Sequence, residues 1–204
     1  MRSWKLMAVT VTSLIVSAGL CQANLLTNPG FETGDFTGWA VGGWYNGTDD
    51  DAHTGDYGAS REITSAIEGE NYFVAEQWVP VTGALSYDLS GWMRIAGIPN
   101  ASESFLELRW INASGGSEGQ FGTAHLAETQ DYTQYSLLAQ LAPANAVTAR
   151  VALVVHTTGG TITDTAWHTF DDLDFEQTIP EPTTMAFVGL GISMAAILRK
   201  RLTH

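Results

Sequence analysis

The sequence predicts an all-β fold, an antiparallel β-sandwich over residues 24–178, with an apolar helix added at each end of the chain. Three observations carry that reading. Between residues 24 and 178, short runs of β-branched, aromatic and aliphatic residues are separated by clusters of Gly, Asn, Asp, Thr and Pro. Within several runs, apolar and polar side chains alternate with the period of two that a strand imposes. No heptad or sustained 3.6-residue pattern, the mark of a helical layer, breaks the series.

The first element is a signal helix over residues 1–23. Arg2 and Lys5 make its start basic, an apolar run extends from Leu6 to Leu20, and Cys21 and Ala23 place small side chains on either side of Gln22. A basic start, an apolar core of about 7–15 residues and a small-residue site define a secretory signal. Cleavage is expected before Asn24.

The strands follow. Tyr72–Val79, Ser86–Ile95, Phe105–Ile111, Thr133–Leu141, Thr148–Val155 and Thr169–Phe175 read as strands of ordinary length with turn formers between them. In Phe105–Ile111, Leu106, Leu108 and Trp110 share one face, and Glu107 and Arg109 the other. In the run from Thr148 to His156, Ala149, Val151, Leu153 and Val155 face one way, and Arg150, Ala152, Val154 and His156 the other. The segments 42–58, 97–104 and 112–122 are rich in turn formers and read as loops, where binding groups concentrate.

Charge narrows the function. Residues 24–178 hold four arginines, no lysine and 21 acidic residues, a formal charge of −17. Such a surface repels phosphate backbones, which argues against nucleic acid as a partner, and it suits divalent cations or neutral ligands. The only cysteine, Cys21, belongs to the signal segment, so the domain has neither disulfide nor thiolate metal site. His53, His125, His156 and His168 are scattered without ligand spacing, and no His-Glu-x-x-His, Gly-x-Ser-x-Gly or phosphate-cradling loop occurs. The chain is therefore expected not to be an enzyme. An envelope hydrolase with paired carboxylates is the weakest alternative.

The last element is residues 179–204. Pro180-Glu181-Pro182 precedes an uncharged run from Thr183 to Leu198, which the basic Arg199, Lys200 and Arg201 close. The run falls just short of the ~17–25 residues of a typical span, and a basic cluster after it favours a cytoplasmic end. It predicts a transmembrane helix through residues 183–198. The three parts in this order resemble the PEP-CTERM sorting signal of bacteria. That resemblance implies an exosortase-type processing peptidase as partner. It also implies anchoring in the inner membrane before processing, then delivery to the cell surface or extracellular matrix.

Four phrases bear on the sandwich: Asn28-Pro29-Gly30-Phe31-Glu32, Gly38-Trp39, His53-Thr54-Gly55 and Phe170-Asp171-Asp172-Leu173. In this order they resemble the jelly-roll carbohydrate-binding modules of the galactose-binding-like superfamily. The resemblance implies a core role for Trp39 and a structural calcium. Its ligands would be the Gly30 carbonyl, the Glu32 carboxylate, a carboxylate and a carbonyl near Asp51 and Thr54, and Asp171. Calcium takes six to eight oxygens, several of them charged. With Asp171 and Asp172 adjacent on a strand, one of them is expected to point toward the core layer. The alternative leaves Glu32 and Asp171 as solvated or hydrogen-bonded turn residues.

A polysaccharide site needs flat aromatic surface and planar polar groups. Trp92 with Arg94, and Glu107 with Arg109, supply both if their strands are neighbours, with Trp44 and Tyr45 framing the edge. The alternatives are core tryptophans, a plain surface ion pair, and a structural or adhesion protein with no sugar site.

Overall fold

The computed structural model describes residues 23–178, which form two five-stranded antiparallel sheets lying face to face. The strands are β1 (Ala40–Val41), β2 (Tyr45–Asn46), β3 (Ala59–Ile63), β4 (Glu70–Pro80), β5 (Ser86–Gly97), β6 (Ser102–Asn112), β7 (Ser117–Gly122), β8 (Gln130–Leu141), β9 (Ala146–Thr158) and β10 (Ala166–Gln177). Sheet A has the order β1-β4-β9-β6-β7 and sheet B the order β2-β3-β10-β5-β8. Each of the six strands read from the sequence lies inside an observed one. Two short strands, β2 and β7, occupy segments read as loops. The helices expected over 1–23 and 179–204 lie outside the described residues.

Alternation decides which side of each strand is buried. Leu106, Leu108 and Trp110 of β6 turn inward with Ala149, Val151, Leu153 and Val155 of β9. They meet Leu89, Met93 and Ile95 of β5 and Phe170, Leu173 and Phe175 of β10. Each large side chain fully withdrawn from water contributes about 1.5–3 kcal/mol, and this layer holds the sheets together. Phe31 and Trp39 join the core, their rings 5.5 Å apart.

One polar group lies inside this layer. His168 of β10 is fully buried, with Ser102 Oγ 3.0 Å from its Nε2 and the Ser104 hydroxyl at its Nδ1. Burial pushes its pKa down to about 3, so it stays neutral and ties the two sheets through both ring nitrogens.

The acidic pair departs from expectation. Asp171 is opposite Trp92 in the β10–β5 register and shares the outer face of sheet B with it. The register then slips by one residue between Asp171 and Asp174, and Asp172 has a left-handed φ of 45°. Neither carboxylate enters the layer between the sheets, because the bulge holds both outside and returns Leu173 to the core.

Candidate functional site

Sheet A exposes a face built by strands remote in sequence. β4 turns Tyr72, Val74, Glu76 and Trp78 outward, β9 turns Arg150, Val154 and His156, and β6 turns Glu103, Phe105, Glu107 and Arg109. Register sets Arg109 directly opposite Arg150 on one side and Gln120 of β7 on the other. Two like charges opposite each other repel across a sheet, and carboxylates resolve the conflict. Glu107 Oε1 accepts hydrogen bonds from Arg109 (3.2 Å) and Arg150 (2.5 Å), and its Oε2 accepts one from Gln120 Nε2 (2.6 Å). Arg150 Nε donates to Glu76, which also accepts from Trp78 Nε1 at 3.1 Å.

This network floors a cavity of about 350 Å³ walled by Tyr72, Val74 and Val154. Two aromatic rings stand out of the face, Tyr72 at 59% exposure and Trp78 at 52%. Tyr72 is braced by His156, stacked on it at 4.2 Å and 12°. His156 and His125 both reach one oxygen of Glu103, at 2.8 and 3.0 Å. Burial alone would raise the Glu103 pKa. The hydrogen bonds from His156 and His125 outweigh it and hold the carboxyl below its ordinary value.

The expected sugar-site residues do not form one patch. β5 and β6 lie in different sheets, so Trp92 and Arg94 are on the opposite side of the sandwich from Glu107 and Arg109. Trp92 is stacked under His53 at 4.0 Å, and Arg94 lies 3.8 Å from Asp51 and 4.0 Å from Asp131. Trp44 is buried at 7% exposure with its ring edge-on to Phe170, a core position rather than a rim. Tyr45 lies at the edge of sheet B beside Trp167, its hydroxyl accepting the Glu62 amide at 3.0 Å. Tyr72, Glu76, Trp78, Gln120 and Arg150 were not among the expected residues. The alternation Tyr-x-Val-x-Glu-x-Trp along β4 was the signal available for three of them.

The residues implied as cation ligands gather more closely. Glu32 accepts the amides of Asp56 and Tyr57, and Asp171 Oδ2 accepts those of His53 (2.7 Å) and Thr54 (3.1 Å). The two carboxylates thus hold one short segment from two sides. A Cβ placed on Gly30 would lie 3.7 Å from Asp171 Oδ1. Asp51 departs from the set: its carboxylate faces Arg94 and its carbonyl accepts the Tyr132 hydroxyl. Among the described residues, no three His, Cys, Asp or Glu side chains converge to hold a metal, so such a site would rest on two carboxylates and backbone carbonyls. Asp171 is fully buried, and burial pushes its pKa up to about 6 against the pull of three amides. An oxygen-only donor set around a costly buried anion fits a hard cation.

Comparison with known proteins adds two findings. Residues 178–201 match the PEP-CTERM protein-sorting motif. A search of the curated proteins finds no relative of the chain. Among solved structures, the carbohydrate-binding module TmCBM61, in complex with β-1,4-galactotriose, superposes with a TM-score of 0.55 at 19% identity, covering 76% of this chain and 99% of that one. The CBM22-2 xylan-binding domain of Paenibacillus barcinonensis Xyn10C gives 0.51 at 14% identity, over 74% and 98%. The enzymatically active domain of a bacteriophage CBA120 tailspike gives 0.60 at 10% identity, but this chain spans only 21% of it. At these identities the likeness is one of fold. The chain therefore joins a β-sandwich with the fold of carbohydrate-binding modules to a C-terminal PEP-CTERM protein-sorting motif.

Proposed function

We propose that this is an exported, non-catalytic surface protein whose sandwich binds a glycan chain across the outer face of sheet A. The observation that carries the reading is the pair of exposed rings on one face of β4. Tyr72 and Trp78 are six residues apart, about 20 Å at the rise of a strand, and alongside them on β9, β6 and β7 lies the Glu107–Arg109–Arg150–Gln120 floor, with Arg150 and Arg109 level with Trp78. Rigid rings offer stacking surface to the apolar faces of sugars, and fixed planar polar groups meet their oxygens. The span suits an oligosaccharide rather than a single sugar. Two structures sharing this fold are carbohydrate-binding modules, which supports the reading without naming the sugar. Glu76 and Glu107 both pair with Arg150 rather than facing each other as two free carboxylates, which favours binding over hydrolysis.

The sorting motif supports the setting: handling by an exosortase-type peptidase and display at the cell surface or in the extracellular matrix. The proposal includes a structural calcium held by Glu32 and Asp171 with the carbonyls of Gly30 and Thr54, which would neutralise the buried Asp171.

Affinity electrophoresis of the purified full chain through a panel of polysaccharides tests the binding site. Retention by at least one polymer is expected, with Tyr72→Ala and Trp78→Ala each weakening it about tenfold while circular dichroism stays unchanged. Equal migration through every polymer would leave a purely structural surface protein as the better account. For the cation, a ligand at a hundred times its Kd stabilises by about 2.7 kcal/mol. Calcium should therefore raise Tm and EDTA lower it, and a Tm indifferent to both removes the calcium.

A further inference from the structure

We infer that the glycan bound on sheet A carries a carboxylate, as a uronic acid does, and that Arg109 is the group that pairs with it; this rests on the glycan reading above. The argument is a count of donors and acceptors. Arg150 is matched by two carboxylates, Glu76 and Glu107. Arg109 has only Glu107, through one terminal nitrogen at 3.2 Å, and that same oxygen is shared with Arg150 while the other is taken by Gln120. A guanidinium carries five N–H donors in a planar fork, so Arg109 keeps most of those on its terminal nitrogens, while its Nε is buried without a hydrogen-bond partner. The remaining carboxylates nearby are also engaged, Glu76 by Trp78 and Arg150, Glu103 by His125 and His156.

Exposure gives the same ordering. The Arg109 side chain is 32% exposed and that of Glu107 8%, so a ligand arriving at this pair meets the donors of Arg109 before the oxygens of Glu107. A hydroxyl offers such a fork one oxygen. A carboxylate offers two in one plane, the geometry a guanidinium matches bidentately. The Tyr72 ring on the wall of the same cavity supplies the stacking surface for the sugar that bears it.

The test uses polygalacturonate and alginate, each alongside the same polymer after chemical reduction of its carboxyl groups to primary alcohols. The full chain and its Arg109→Gln and Arg109→Lys variants are compared by affinity electrophoresis, with urea midpoints as a check on folding. Wild type should bind at least one native polymer about tenfold more tightly than its reduced form. Arg109→Gln should bind both forms alike, and Arg109→Lys, which keeps the charge but loses the fork, should fall between. Wild-type binding to native and reduced polymers alike, still lost in Trp78→Ala, would overturn the carboxylate and leave the glycan site standing. Retention by neutral polymers alone would overturn it equally. No retention by any polymer, acidic or neutral, would remove the glycan site itself.

Discussion

His168 shows how one residue makes the molecule sensitive to acid. In the unfolded chain its imidazole titrates near 6.5, whereas in the folded sandwich burial holds the pKa near 3. Below pH 6.5 the unfolded state takes up a proton that the folded state refuses, so stability present above 6.5 is lost as pH falls toward 3. The slope is about 1.4 kcal/mol per pH unit. Asp171 acts in the opposite sense. Its folded pKa, raised to about 6 from 3.8, means stability is regained as pH falls through that window. The two effects largely cancel in the wild type between pH 6 and 4, which would hide both. His168→Gln, able to bond to Ser102 and Ser104 without titrating, separates them. Relative to wild type, this variant should gain about 3 kcal/mol between pH 7 and 4.5, read from urea denaturation. A difference independent of pH would mean the imidazole is not held neutral inside the fold. None of this was legible in the sequence, where His168 is one of four scattered histidines; its burial follows from the phase of β10 and from Ser102 and Ser104 on the facing sheet.

At the scale of the element, the chain is most readable where a strand keeps one phase. β6 and β9 alternate cleanly, and the faces read from sequence are the faces observed. What alternation leaves open is which strands are neighbours, and the expected sugar patch failed there, as well as at Trp44, which is core. β10 shows a second limit. Its apolar residues Phe170, Leu173 and Phe175 are spaced by three and then by two, the mark of a phase break that a uniform strand would not carry. The bulge brings Leu173 against Gly91 of β5, where an added Cβ would lie 2.7 Å from Leu173 Cδ2 and 3.2 Å from Leu106 Cδ1. The glycine is there for space, since no unusual φ requires it. Gly91→Ala should cost about 1–3 kcal/mol by overpacking. Combining it with Leu173→Val should recover part of that cost, giving a coupling of about 0.5 kcal/mol or more. Strict additivity of the two changes in chemical denaturation would show that the bulge does not set the spacing at Gly91.

The whole molecule adds a field to these local contacts. Asn24, at the expected signal cleavage site, is stitched to β10 through Leu173 and Phe175, so the start of the described chain lies beside its last strand. The domain carries a formal charge of −17. Any anionic glycan is therefore repelled at a distance, even though the guanidinium of Arg109 would attract its carboxylate at contact. Ionic strength separates the two. The screening length is about 30 Å at 0.01 M salt, enough for the whole surface to act, and about 8 Å at 0.15 M, where only near neighbours count. Raising salt over that range should weaken the repulsion much more than a partly buried bidentate pair. Association of a uronate-bearing polymer should then quicken and its retention increase, opposite to the usual behaviour of a protein binding a polyanion. A neutral polymer should show little change. Surface plasmon resonance across the salt series reads this directly, and a steady loss of acidic-glycan binding from the lowest salt upward would show that attraction at the cavity, rather than the acidity of the domain, governs the approach.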